Sequence, residues 1–220
     1  MSAGPVARRV LLAAAMACLT LPARAGWGEA SRNIDVTGTS PPLAFHLTRA
    51  EDGRAVTQAD YRGKVVLLYF GYTFCPDICP LTLSNVAQVL KRLGGEATDI
   101  RVLFVTVDPE RDTLAVMREY AAAFGPNVVG LRGTPDELAS LARRYRIAYA
   151  VTRSGTDVQV IHSSAIYAFD GTGAARLLIP SFATASPDID GTTADLRRLL
   201  RASGPRGLFS RWLGMLAGLV

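Results

Sequence analysis

Six consecutive apolar residues, Val65-Val66-Leu67-Leu68-Tyr69-Phe70, constrain this chain more than any other stretch. The run has strand length, is rich in β-branched and aromatic side chains, and shows no polar alternation. It therefore predicts a strand covered on both faces rather than one with a wet side. A second run of this kind, Val102-Leu103-Phe104-Val105-Thr106-Val107, comes after residues 81–93, whose apolar positions 83, 86, 90 and 93 form a helical stripe.

The alternation continues. Residues 113–124 predict a helix with Leu114, Met117, Tyr120 and Phe124 on one face, and 128–131 a short strand. Thr134-Pro135-Asp136-Glu137 is a capping box with proline at the first helical position, opening a helix to Tyr145. Residues 158–162, 165–169 and 174–179 are extended, the last two joined by Asp170-Gly171-Thr172-Gly173 as a hairpin turn. A final helix covers 195–202, and an early strand at 43–47 precedes the turn Glu51-Asp52-Gly53-Arg54. No internal repeat or low-complexity tract interrupts this order. The fold class expected is α/β: a mixed sheet flanked by helices, in an order that is thioredoxin-like.

Residues 1–25 have the layout of a secretory signal: Arg8 and Arg9, an apolar run over 10–21, then Ala23-Arg24-Ala25 as a small-x-small cleavage site. The apolar run is shorter than the ~20 residues that span a bilayer. Retention as an N-terminal membrane anchor, or lipid attachment at Cys18, are the other uses of such a segment. Losing residues 1–25 removes three arginines and no acid, so the formal charge falls from +5 to +2. The basic character thus belongs largely to the signal, which argues against a nucleic-acid partner. Residues 26–42 read as a polar tether, 43–203 as one domain with a sizeable core, and 204–220 as an apolar tail. In that tail Leu208, Trp212, Met215 and Leu219 form one stripe and Phe209, Leu213, Leu216 and Val220 another. Docking on the domain and lying at a membrane interface are both open for it, so either terminus is a candidate for membrane association. An exported chain of this type is expected in a periplasm, where a disulfide is permitted.

Directly after the first buried strand comes Phe74-Cys75-Pro76-Asp77-Ile78-Cys79-Pro80. With Cys18 in the signal, Cys75 and Cys79 are the cysteines of the mature chain. Each precedes proline, which disfavours helical backbone at both. Pro80 fits a first helical position, making Cys79 the cap with its sulfur at the positive helix end, where thiolate is favoured. An inert disulfide is the plainer alternative, but closing so short a loop removes little unfolded-state entropy. The pair therefore reads as a redox-active dithiol or a soft-metal site, and the extra residue relative to Cys-x-x-Cys leaves room for an ion.

A third ligand candidate is His162, one of only two histidines. In a thioredoxin-like layout the loop before the hairpin comes close to the loop carrying the dithiol. Two thiolates and one imidazole suit copper, whereas zinc usually takes a fourth ligand. His46, in an early strand beside a charged turn, reads as solvated.

Three motifs in order, residues 71–80 (Gly-Tyr-Thr-Phe-Cys-Pro-Asp-Ile-Cys-Pro), Val107-Asp108-Pro109-Glu110-Arg111-Asp112-Thr113, and His162-Ser163, closely resemble the Sco/SenC copper metallochaperones over about residues 43–200. The resemblance implies a thioredoxin-like periplasmic domain that helps load copper into cytochrome c oxidase, with Cys75, Cys79 and His162 as copper ligands. It implies a copper-accepting oxidase subunit as partner, with other copper chaperones and a thioredoxin-like reductant as further ones. It also implies that Asp108 lies near the copper loop. Read by itself, that segment is a strand end and helix start, with Asp112 or Thr113 as the cap and Arg111 paired to Asp108 or Glu110. The chain departs from the family in having Ile161 rather than an aspartate before the histidine, no glycine in Leu178-Ile179-Pro180-Ser181-Phe182, and the tail beyond residue 203.

Copper delivery is the leading expectation, and a thiol-disulfide oxidoreductase acting on cysteines of a copper-accepting protein is the alternative. A peroxidase is a weaker third, because Thr73 stands two residues before Cys75 where such sites usually place threonine three before.

Overall fold

The computed structural model describes residues 33–155, 157–180 and 182–203. The signal segment with Cys18, residues 26–32 of the tether, Ser181 and the tail 204–220 lie outside the described residues.

The central run forms β4 (Val65–Gly71), buried at every position, once three short strands have preceded it: β1 (Ile34–Asp35), β2 (His46–Arg49) and β3 (Ala55–Thr57). Helix α1 (Ile78–Leu93) leads to β5 (Ile100–Thr106), and α2 (Leu114–Ala122) leads to β6 (Val128–Arg132). β4, β5 and β6 pair in parallel, with Leu68 opposite Leu103 and Leu103 opposite Val129. Strand pairs of this kind need a long crossover, which is why a helix separates each from the next. Helix α3 (Pro135–Arg144) opens with the expected capping box: Thr134 Oγ1 accepts from Glu137 N–H while Glu137 Oε2 accepts from Thr134 N–H at 2.8 Å.

The second half adds β7 (Tyr149–Ser154), β8 (Asp157–His162), β9 (Ile166–Phe169), β10 (Ala175–Ile179) and α4 (Ile189–Ser203). The main sheet runs β1-β10-β9-β4-β5-β6-β2-β3, with β9 and β10 as the expected antiparallel hairpin. β7 and β8 pair only with each other, as a separate ribbon. Helices α1 and α4 pack together, and Asn85 Nδ2 of α1 donates to Phe182 O at 2.8 Å, fixing the segment that leads into α4. The α/β mixed sheet flanked by helices is thus observed.

Four features differ from the sequence expectation. Residues of the expected tether are docked: β1 pairs with β10, Val36 is buried, and Asn33 Nδ2 donates to Asp195 Oδ2 at 3.0 Å. The early strand is shifted to His46–Arg49. Strand β7 was not expected at all. Helix α4 begins six residues early, through Ile189-Asp190-Gly191-Thr192-Thr193, a weakly helical sequence held by packing of Ile189 and Thr193 in the core.

Leu68 is fully shielded at the centre of β4. Leu68→Ala should lower stability by ~2–5 kcal/mol in denaturant unfolding of the metal-free domain, the range for deleting a fully packed leucine. A loss well under this would mean that β4 is not the packing centre.

Candidate metal centre

The chain leaves β4 at Gly71 and passes through Cys75 into α1, so both cysteines stand at the carboxyl end of the central strand. The expectation that Cys79 caps α1 from outside is corrected. The cap position is Asp77, Cys79 lies in the first helical turn, and Pro80 is the third helical residue. Proline is tolerated there because the first-turn N–H groups have no intrahelical partner. One of those orphan donors, Cys79 N–H, points at Cys75 Sγ at 3.4 Å. It is therefore the Cys75 sulfur, half-buried, that meets the positive helix end.

Cys79 Sγ faces inward and is fully shielded. Burial pushes its thiol up to about 12, against opposing pull from the Tyr72 backbone and Tyr69. The expected thiolate bias at Cys79 is thus overridden: in the metal-free protein, desolvation outweighs the helix terminus. Space for this sulfur comes from Gly71. A Cβ on that residue would stand 2.9 Å from Cys79 Sγ and 2.6 Å from the Phe104 ring. The role of Gly71 was not read from the sequence, although a glycine closing an otherwise apolar strand is a known sign of close approach.

His162 is the last residue of β8 and comes within 3.2 Å of Cys79 Sγ through Nε2. Its Nδ1 is 2.9 Å from Ser163 O. A carbonyl only accepts, so Nδ1 carries the proton and neutral His162 offers the Nε2 lone pair toward the sulfur. Burial holds the imidazole below its ordinary value, favouring this neutral form. Tyr72 and Tyr69 set their rings edge-on to it, with centroids 5.8 and 6.2 Å away.

Cys75 Sγ, Cys79 Sγ and a His162 ring nitrogen all lie within 4.8 Å of one another. With metal–sulfur and metal–nitrogen lengths of ~2.3 and ~2.0 Å, as for zinc, a trigonal ion needs donors roughly 3.7–4.0 Å apart. The set fits an ion after shifts of under about an ångström. It is the only such cluster among the described residues. His46 stays away from it, exposed and 3.3 Å from Glu137.

Asp108 is also outside the ligand set. It is wholly buried behind the centre, and its Oδ1 and Oδ2 accept from Arg153 and Arg111. Of the two caps considered for α2, Thr113 is the one used, accepting from Val116 N–H at 3.3 Å. Asp112 instead steadies the cysteine loop: its carboxylate accepts from Thr73 N–H at 3.1 Å, Thr73 Oγ1–H at 2.5 Å and Thr106 Oγ1–H at 2.6 Å.

The family model described as SCO1/SenC matches residues 40–201. The chain belongs to the SCO1/SenC family. It is 44% identical over 125 residues to the Bos taurus protein named "Protein SCO2 homolog, mitochondrial", covering 55% of this chain and 47% of that protein. The chain thus spans about half the length of this curated relative. The copper-bound structure of Arabidopsis thaliana ScoI is 34% identical, with a TM-score of 0.64 over 73% of this chain and 98% of that one. BsSco, described with a disulfide switch and as a member of the Sco family of cytochrome c oxidase assembly proteins, is 25% identical, with a TM-score of 0.61 over 74% of this chain and 95% of its own. These likenesses make the fold thioredoxin-like, as the element order predicted.

Two outcomes test the site. Gly71→Ala should displace Cys79 or Phe104, costing ~1–3 kcal/mol as overpacking does, and weaken metal binding at least about tenfold. Full metal affinity in that variant would remove Gly71 from the site. In a Cys75→Ser variant, the ultraviolet thiolate absorbance of metal-free protein should stay low through neutral and mildly alkaline pH, since a raised value keeps the thiol protonated. The stability this gives is complete below the unfolded value of ~8.5 and is lost as pH rises toward about 12. Titration near 8.5 would show that the sulfur is not desolvated.

Proposed function

We propose that this chain is an exported copper chaperone whose periplasmic domain holds copper on Cys75, Cys79 and His162 and passes it to a copper-accepting subunit of cytochrome c oxidase. The observation that carries this reading is the convergence of two sulfurs and one neutral imidazole nitrogen within 4.8 Å. Two soft donors and one borderline donor, with no fourth ligand in the cluster among the described residues, suit copper better than zinc. Copper-bound Arabidopsis thaliana ScoI and the family's link to oxidase assembly support the same reading. The signal layout of residues 1–25 supports export to the periplasm, with tethering at the inner membrane if the segment is retained.

Delivery, rather than storage, is supported by the surroundings of the site. Phe74, Ile78, Leu81 and Ile161 are large apolar residues 55%, 45%, 41% and 73% exposed, and they adjoin the ligands in sequence. An apolar rim lets a partner dock closely enough for its own ligands to replace these one at a time. Copper is cargo in this scheme. Binding displaces a proton from the buried Cys79 thiol, whereas Nε2 of His162 is already free to donate. Other copper chaperones, as donors of the cargo, are proposed partners on the same rim.

A second reading is thiol-disulfide exchange, favoured by the free state of both cysteines and the greater openness of Cys75. Cys75 thiolate would attack a partner disulfide and form a mixed disulfide. Cys79 would then displace the partner's second sulfur, leaving the partner with two thiols and this chain with a Cys75–Cys79 disulfide. A thioredoxin-like reductant would return it to the dithiol.

His162→Ala separates the two. Simple exchange needs only two sulfurs and access, so the rate of disulfide reduction on a model substrate should change less than about twofold. Copper binding should weaken strongly, and more for Cu(II), which favours imidazole. A variant that keeps full Cu(II) affinity and supports oxidase assembly under low copper would sink the chaperone role of His162.

A further inference from the structure

Asp108 joins two parts of the fold that are far apart in sequence. Its carboxylate is completely shielded, and each oxygen is taken by a different arginine. Arg111, three residues on, pairs with Oδ2 and lays its guanidinium over the rings of Phe74 and Tyr72, 5.0 and 5.7 Å from their centroids. Those rings belong to the loop that delivers Cys75. Arg153 of β7 donates to Oδ1 at 2.9 Å and also reaches Glu110 at 2.9 Å. β7 in turn pairs with β8, Tyr149 opposite His162. One buried carboxylate thus faces the dithiol loop on one side and the histidine-bearing ribbon on the other.

The ribbon needs such a fastening. It adds no strand to the main sheet, and Thr152, Arg153 and Ser154 are exposed along β7. Between it and α3 lies an open cavity of about 540 Å³, bordered by Leu138, Ala142, Ile147, Tyr149 and Val151. Ser163 N–H to Ala148 O closes the ribbon on itself at its root; among the described residues, its ties to the body besides the partial packing of Tyr149 and Val160 include His162 at Cys79 and Arg153 at Asp108 and Glu110. Arg153 is partly exposed, but the carboxylate that receives it is fully buried, so this charge-assisted hydrogen bond has one fixed end.

We infer that Asp108, through Arg153 and Arg111, is a positioning residue that keeps the His162 ribbon and the dithiol loop in register, so that loss of Arg153 lets His162 leave the ligand set. This rests on the reading of Cys75, Cys79 and His162 as the copper ligands. Its structural half does not need the metal.

Arg153→Ala is the test, since Asp108 keeps Arg111 as a counter-charge and the domain should still fold. In metal-free protein, amide exchange over residues 149–162 should quicken by about tenfold or more while β4 and β5 stay as they were. In the Cu(II)-loaded protein, nitrogen hyperfine coupling should fall while sulfur-to-copper charge transfer persists. Arg153→Lys, which keeps the charge, should restore much of both. Unchanged ribbon exchange, or a uniform rise across the whole sheet, would overturn the inference. So would retention of full nitrogen coupling in Arg153→Ala. If the wild-type domain takes up no copper but the ribbon still loosens selectively, the positioning stands and the copper reading falls.

Discussion

The approach of the Cys79 sulfur to the end of the central strand is the contact on which the rest of the site depends. β4 is buried along its whole length, so its last residue also sits in a packed environment, against Phe104 of β5. Only a residue without Cβ leaves room there for a sulfur. Because Gly71 supplies that room, the first turn of α1 can tuck Cys79 inward. The inward sulfur then defines where a third ligand must come from, and the end of β8 meets it at 3.2 Å. Packing therefore precedes chemistry at this centre: the core decides where one sulfur lies, and the ribbon and loop are arranged around it.

Two buried carboxylates then divide the work behind the ligands. Asp112 is bonded to Thr73 and Thr106, and the Thr106 hydroxyl also accepts from Asp108 N–H at 2.9 Å. Burial pushes the Asp112 carboxyl up, while the Thr106 and Thr73 donors pull it down. Asp108 reaches farther, to the two arginines. The segment Val107–Thr113 thus holds the cysteine loop through the Thr73 donors to Asp112 and the Arg111 guanidinium over Tyr72 and Phe74, and the histidine ribbon through Arg153 at Asp108. The arginine pair carries charge to a point 45 residues away in sequence, where a backbone ladder is lacking.

How much of this was legible follows from which interactions are local. The buried strands, the crossover helices, the capping box at Thr134 and the turn at Asp170–Gly173 are written in periodicity and in turn residues a few positions apart, and the sequence reading found them. The dithiol and His162 were legible because soft ligands are rare in this chain, with few alternatives to weigh. What escaped the reading was non-local. Cys79 was expected to favour thiolate from its helix-end position, but its solvation is decided by residues of β4, β5 and β8. Arg153 carries no local signal that distinguishes it from an exposed arginine, and Gly71 carries only the general sign of a strand-end glycine, which does not say what approaches it. β7 was missed because Tyr149-Ala-Val-Thr-Arg-Ser pairs only with β8 and mixes apolar with charged positions. The docked segment Ile34–Asp35 was missed because a two-residue strand leaves no periodicity to read.

The contrast between the inner and outer surfaces of the centre bears on how cargo could leave it. Cys79 and His162 are held by burial, and burial favours their uncharged forms. An ion on two thiolates would have its charge offset by them, so the filled site would carry a low net charge in its partly dry surroundings. Around it, Phe74, Ile78, Leu81 and Ile161 present apolar surface, with exposed Asp77 among them and Arg111 against Phe74. On the proposed delivery reading, a partner docking there would remove water from the exposed side of Cys75. If the cluster does carry copper as proposed, the more open sulfur, Cys75, would be replaced first and Cys79, packed against Gly71, last.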